Sequence, residues 1–210
     1  IYRFLEAHVD ELGPTVLAFH YLQPDIDWQN RILFAIQDME KRPLLVADAG
    51  YMYAAKAGGQ APEYDLFTPD VGELAFLADE NAPHPFYTRG FILHQKDRVE
   101  ELAARAYEHG NAARLLLIKG KTDFVAHSQG VMHMVREPDI PNLEPIGGTG
   151  DTITGMVSAL MACGLETSEA ALVALRANRM AGSLADPSPA TSIAEIITHL
   201  PEALGRVLSI

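Results

Sequence analysis

The chain has 210 residues, enough for one domain with a substantial core, and its 48% hydrophobic and 21% charged residues are ordinary for a globular protein. A net charge of −12 argues against a protein that wraps nucleic acid or coats an anionic membrane, but leaves room for a nucleotide held by a local nest of backbone N–H groups. One cysteine excludes an intramolecular disulfide, no apolar run is long enough to span a bilayer and no signal peptide is visible, so the cytoplasm is the expected compartment.

Residues 1–12 place Phe4, Leu5, Val9 and Leu12 at helical spacing, and Gly13-Pro14 ends that helix. Thr15 to Phe19 reads as a buried strand. Pro24-Asp25 opens a second helix with Trp28, Ile32, Ile36 and Met39 in a stripe, and Leu44 to Ala47 is another continuous apolar strand, followed by Asp48-Ala49-Gly50. Tyr51 and Tyr53, on the helix after Asp48, read as packing residues. Strand, helix and strand, with both strands apolar throughout, is the pattern of a parallel sheet covered on both faces.

Leu66-Phe67-Thr68 reads as a third strand, Pro69 to Gly72 as a turn, and Glu73 to Leu77 as the start of a helix. Asn81 to Gly90 has no period and reads as a surface loop. Asp97 with Glu100 forms a capping-box pattern before a helix that faces Val99, Leu102, Ala103 and Ala106 to the core. Leu115 to Ile118 is a fourth buried strand, ending at Lys119-Gly120. The pattern then changes to an antiparallel hairpin, Phe124–His127 and Val131–Val135 about Ser128-Gln129-Gly130. His127 and His133 flank its turn and read as exposed histidines, since no third ligand is spaced with them.

Ile146-Gly147-Gly148-Thr149-Gly150-Asp151 follows, leading into a helix whose apolar face is Ile153, Met156, Val157, Leu160 and Met161. A glycine-rich turn at a helix N-terminus presents unpaired N–H groups and the positive end of the helix dipole, suited to phosphate or a developing oxyanion. Cys163, near the end of this helix, is expected to be a buried thiol. An alanine-rich helix over Ala170–Ala185 and a last helix, capped by Ser192 with Glu195 and facing Ile193, Ile196, Ile197 and Leu200 inward, complete a single domain over 1–210.

The polar residues of interest therefore sit on four segments: Asp48, Thr68 to Glu73, Lys119 to Asp123, and Gly147 to Asp151. In an open parallel sheet these converge beyond the carboxyl ends of the strands, where ligands bind. Lys119 can reach a phosphate and Gly120 lets backbone approach it. Asp151 beside a nest of N–H groups can serve as general base, and His20 stands at a strand end beside the same pocket.

In this order the motifs resemble the ribokinase-like superfamily, and within it the ADP/ATP-dependent NAD(P)H-hydrate dehydratases, the carbohydrate-kinase-related domain of the YjeF type. Gly147-Gly148-Thr149-Gly150-Asp151-Thr152-Ile153-Thr154-Gly155-Met156 is similar to that family's signature. Thr68-Pro69-Asp70-Val71-Gly72-Glu73 resembles its Thr-Pro-His-Pro-Gly-Glu turn, Ile118-Lys119-Gly120 with Thr122 and Asp123 its nucleotide strand, and Val46-Ala47-Asp48-Ala49 its Asp-Ala strand end.

The resemblance implies a three-layer α/β fold, mainly parallel, with helices on both faces and a small antiparallel hairpin. It implies repair of hydrated NADH or NADPH with ATP or ADP, with Mg2+ on the phosphates and no metal cluster of the protein's own. Asp151 would be the catalytic base. Lys119, Gly120, Lys121, Thr122, Asp123 and Gly150 would hold the nucleotide, and Gly147, Gly148, Thr149 and Gly150 would form the anion hole. Asp70 and Asp151 would meet the substrate; His20, by its place at a strand end beside the pocket and not by the family pattern, reads as a further substrate contact. The partners implied are these small molecules, neither nucleic acid nor membrane, with a homo-oligomer as the expected assembly and an N-terminal portion ahead of Ile1. The chain departs from the pattern at Asp70, where the family has histidine, at Val71, where it has proline, and at Phe19 to Pro24, where it has a Gly-Pro-Gly loop. The other activities compatible with the residues are a kinase for a small hydroxyl compound and a nucleotide-binding homologue without catalysis.

Overall fold

A computed structural model describes residues 1–82 and 98–209. Six strands form one sheet in sequential order: β1 (Val16–Phe19), β2 (Leu44–Ala47), β3 (Leu66–Phe67), β4 (Leu115–Ile118), β5 (Asp123–His127) and β6 (Gly130–Val135). The first four are parallel to one another, and β5 and β6 add as an antiparallel hairpin. This is the expected mainly parallel sheet with its hairpin at one edge.

The sheet separates two cores. Along β4, Leu115 and Leu117 join one cluster and Leu116 and Ile118 the other, as the alternation of side chains across a strand requires. Leu116, Leu117 and Ile118 are fully buried, and this two-sided burial is why the strand reads as an unbroken apolar run. One face carries α1 (Tyr2–Leu12), α2 (Ile26–Gln37), α3 (Gly50–Ala57), α4 (Val71–Ala78) and α5 (Val99–Glu108). The chain reaches the other face only after the hairpin. It covers that face with α6 (Thr149–Ala162), α7 (Thr167–Leu184), α8 (Ile193–Ile197) and α9 (Leu200–Leu208).

Several expectations are revised. Cys163 is exposed, at the C-cap of α6. On α1 only Val9 is buried, while Phe4 and Leu12 are more than half exposed. The turn placed at Pro69 to Gly72 is in fact a helix start. Asp70 is the N-cap of α4, its Oδ1 accepting from Glu73 N at 2.7 Å while Glu73 Oε2 accepts from Asp70 N at 2.8 Å. The last expected helix is two, broken at Thr198-His199, since Pro201 in the first turn of α9 has no N–H to give to Ile197, and Ile197 is left exposed. The capping box at Ser192 and Glu195 is present, whereas Asp97 and most of the loop expected at 81–90 lie outside the described residues. His133 stands opposite Val125, so His127 and His133 do not face one another across the hairpin.

Candidate active site

The carboxyl ends of the parallel strands deliver the polar residues to one edge. Phe19, Ala47 and Phe67 end their strands in neighbouring positions, and the next residues are His20, Asp48 and Thr68. Beyond β4 the ladder continues far enough for Lys119 to bridge Asp70, with Lys119 N donating to Pro69 O at 2.8 Å. Two non-glycine residues just past these ends hold a left-handed backbone, Tyr21 (φ 49°) and Ala49 (φ 47°). Such positions store of order 1–3 kcal/mol each and collect at functional sites.

Asp48 is the hub of the edge. Its side chain is 3% exposed, and Oδ1 takes the Lys119 ammonium at 3.0 Å. Oδ2 accepts from Thr154 Oγ1 at 3.1 Å, and Thr68 Oγ1 lies 3.0 Å from Thr154 Oγ1. A hydroxyl has one proton, so with Thr154 donating to Asp48, Thr68 donates to Thr154. His20 Nδ1 is 2.9 Å from Asp48 Oδ2, and its Nε2 is 3.6 Å from Asp151 Oδ1. A buried carboxylate thus lies at the centre of a lysine, two threonines and an imidazole, and the imidazole leads outward to Asp151.

Asp151 sits in the first turn of α6 with its side chain 42% exposed, facing the edge. Its charge, more than partial burial, holds the Tyr21 phenol above its ordinary value, and the Tyr21 ring packs edge-on against His20. The turn before α6 is set by Gly148. Gly148 adopts φ 98° as N-cap, and a Cβ there would come 2.9 Å from Ile193 Cγ1. Gly147 has open space where a Cβ would be, and a Cβ on Gly150 would meet the Lys119 stem at 3.4 Å. Gly147, Gly148, Thr149, Gly150, Asp151 and Lys119 are therefore gathered in one place, as the sequence led us to expect.

Two candidates serve differently from what their spacing suggested. Asp123 is buried, with Oδ1 accepting from Gly120 N at 2.9 Å and Oδ2 from Arg179 Nε at 2.6 Å, so its carboxylate and the Gly120 N–H are occupied inside the protein. Burial pushes the Asp123 carboxyl upward, and the Arg179 guanidinium opposes that shift. Arg179 also donates to Arg136 O, Gly120 O and Lys121 O at 2.7, 3.0 and 2.8 Å. It fixes the loop from Lys119 to Asp123, whose Lys121 and Thr122 remain exposed and half-exposed. Asp70 uses Oδ1 as a helix cap and has the rest of its exposed carboxylate toward solvent.

Arg179 and Asn178 were not singled out by their spacing, and Thr154 and Glu73 stood in the quoted motifs without a role of their own. Asn178 Nδ2 donates to Thr149 O at 3.1 Å, and Asn178 Oδ1 accepts from Thr152 Oγ1 at 2.6 Å, tying the first turn of α6 to α7. A signal for Asn178 existed, since it follows Ala174 by four and Leu175 by three on the buried stripe of an alanine-rich helix. Glu73 is half-buried, with Tyr53 donating to Oε1 at 3.2 Å. Burial foremost, then Asp70, raises its carboxyl to about 7.

His20, Asp48 and Asp151 each bring one potential ligand atom within 4.8 Å of the others. They do not suit a resident magnesium ion: Asp48 is already neutralised by Lys119, and an imidazole is a poor partner for a hard cation that prefers oxygen and water. Among the described residues no helix is long and apolar enough to cross a membrane.

A family model described as NAD(P)H-hydrate dehydratase matches residues 23–203. An uncharacterised protein of Methanocaldococcus jannaschii is 40% identical over 199 residues, covering 94% of this chain and 83% of that protein. The bifunctional NAD(P)H-hydrate repair enzyme of Pyrobaculum aerophilum is 27% identical over 97% of this chain, and the ADP-dependent (S)-NAD(P)H-hydrate dehydratase of Cenarchaeum symbiosum 30% identical over 73%. The chain spans 39% and 48% of the length of these two enzymes. The fold is shared with Bacillus subtilis YxkO, at a TM-score of 0.64 and 19% identity over 92% of this chain and 67% of that one. It is shared also with the pyridoxal kinase of Staphylococcus aureus, at 0.58 and 18% over 84% and 63%. With a family match that takes in the strand ends from Asp48 onward, the glycine turn and the helix that braces it, the chain belongs to the NAD(P)H-hydrate dehydratase family.

Proposed function

We propose that the chain is a nucleotide-dependent dehydratase that restores hydrated NADH or NADPH, acting in the cytoplasm. The observation that carries the reading is Asp151, set at the N-terminus of α6 and facing a sheet edge where Lys119 lies against Gly150. The first N–H groups of α6, from Thr149 to Asp151, and the turn Gly147–Gly148 provide donors and a dipole for a phosphoryl group in transfer. Asp151 takes the proton of the substrate hydroxyl as that oxygen accepts the phosphoryl group, and phosphate is then a better leaving group than hydroxide. Lys119 meets the nucleotide's phosphates by exchanging its contact with Asp48 for them. Lys121 and Thr122 contact the nucleotide from a loop that Asp123 and Arg179 hold in place. Magnesium arrives with the nucleotide, as part of that substrate. His20 and Asp70 border the hydrated ring. The ADP-dependent relative from Cenarchaeum symbiosum supports ADP as a donor.

The test is incubation with hydrated NADH and magnesium plus ADP or ATP, following the return of NADH absorbance. Asp151→Asn should lower the rate by about 10²–10⁴-fold, the contribution of a general base, without losing nucleotide binding. Nucleotide turnover that needs a different alcohol would turn the reading into a kinase. Nucleotide affinity without turnover, unchanged in the variant, would make the chain a binding protein.

A further inference from the structure

On the reading just given, the reaction must remove two protons from two different atoms. One leaves the C6 oxygen as it takes the phosphoryl group. The other leaves C5, the neighbouring carbon, when phosphate departs and the ring double bond re-forms. A carboxylate that has accepted the first proton cannot accept the second until it has discharged. We propose that His20 is the base for the second proton, with Asp48 as the residue that positions it.

The geometry sets His20 between two carboxylates with different surroundings. Its Nδ1 is buried and lies 2.9 Å from Oδ2 of Asp48, though the ring is turned off the line of an aligned hydrogen bond. Asp48 is itself held by Lys119 and Thr154, so it is a fixed reference on the closed side of the ring. A turn of the ring that aligns Nδ1–H with Oδ2, 2.9 Å away, would place the proton on Nδ1 and leave the lone pair on Nε2. Nε2 points to the open side, 3.6 Å from Asp151 Oδ1. That separation is too long for a direct hydrogen bond, and it sets both groups around one position in front of them. The ring is 29% exposed and packs edge-on against Tyr21 at 4.5 Å between centroids, so it is held yet open to a ligand. A carboxylate behind an imidazole, with the far nitrogen free, is the arrangement by which an orienting acid keeps histidine ready as a base.

The step balances without any oxidant or reductant. The C5–H electron pair becomes the C5–C6 double bond, the C6–O pair leaves with phosphate, and the proton goes to Nε2 of His20. It can then pass to solvent through the exposed face of the ring.

The experiment is a single turnover of the whole chain with hydrated NADH, the nucleotide and magnesium, quenched to measure the spent nucleotide and the phosphorylated hydrate while NADH absorbance is recorded. His20→Gln should spend nucleotide at nearly the parent rate but form NADH about 10²-fold more slowly, so that phosphorylated hydrate accumulates. Deuterium at C5 should slow NADH formation in this variant. His20→Ala should regain NADH formation with added imidazole, a rescue that a packing role would not show. Equal slowing of both steps, or NADH formation at the parent rate, overturns the assignment, as does a folded His20→Ala that imidazole leaves unchanged. If the parent itself spends no nucleotide and restores no NADH, the proposed function falls and this inference with it.

Discussion

At the scale of single residues, Glu73 shows how a local signal acquires a second meaning in three dimensions. As sequence it is the third helical residue after Asp70, which is enough for a capping box. In the structure the same carboxylate is shut against Tyr53 and near Asp48 and Lys119, and burial raises it from 4.5 to about 7. The sign of the linkage follows directly. Below the ordinary value both folded and unfolded chains hold the proton, and between 4.5 and 7 only the folded chain does. Stability from this group is therefore lost as pH rises through that window, by roughly 3 kcal/mol at most. Glu73→Gln keeps an acceptor for the Asp70 N–H and removes the charge. Urea unfolding at pH 5 and pH 8 should show a loss in the parent at the higher pH and a much smaller one in the variant. Equal slopes would mean that Glu73 is ionised as freely in the folded chain as in the unfolded one. The cap is made by neighbours in sequence, although Pro69 to Gly72 reads as a turn from its residue types; the shift was not legible, because Tyr53 and Lys119 come from other elements.

Among the elements, α7 joins the two halves of the site. Asn178 holds the first turn of α6, and Arg179, next to it, holds the loop from Lys119 to Asp123. Adjacent helical residues point about 100° apart, so one helix reaches both targets. The sequence gives away α7 as a helix through its alanine period, and the glycine turn and Lys119-Gly120 through their residue types. It does not show that Arg179 saturates the carbonyls of a distant loop, since a lone arginine in a helix is ordinarily a solvated charge. Asp123 was assigned to the nucleotide for the same reason: its position in the motif is visible, while the partner that turns it inward lies 56 residues away. Arg179→Lys keeps the charge but loses the planar fork. It should weaken nucleotide binding roughly tenfold, the equivalent of about 1.4 kcal/mol from loosened loop contacts, with KM for hydrated NADH little changed. Titration calorimetry with nucleotide beside substrate kinetics checks this, and an equal change in both constants would show that the loop is not what Arg179 controls.

For the whole molecule, the sheet is shared by two cores, so packing lost on one face should be felt on the other. Leu116 and Leu117 are neighbours in β4, both fully buried, on opposite faces. Each cut to alanine should cost about 2–5 kcal/mol. Trp28, the single tryptophan, lies on α2 on the Leu116 side, so its fluorescence reports one face directly. If the domain unfolds as one unit, Leu117→Ala should shift the Trp28 transition as far as it shifts far-UV circular dichroism. A Trp28 transition left at the parent midpoint would show that the faces melt separately. This level of organisation was the most legible: apolar four-residue runs specify strands covered on both faces, and a fold made of them has a carboxyl edge at which Asp48, Lys119 and Asp151 must meet.

That edge also sets how the site responds to its solvent. Lys119 stands among the carboxylates of Asp48, Glu73 and Asp151, in a chain of net charge −12, so an approaching polyanion meets repulsion before it reaches the N–H groups of α6. The field extends about 30 Å at 0.01 M salt and about 10 Å at 0.1 M. Ionic strength should therefore act here in the direction opposite to that in a basic phosphate-binding protein. At fixed magnesium, nucleotide association should speed up as salt rises from 0.01 to 0.1 M, by roughly a fewfold. Association that slows over that range would show that the local dipole and Lys119 outweigh the charge of the whole molecule. A dehydratase built on this edge should admit its cosubstrate most readily when the surrounding ions have already dulled its own charge.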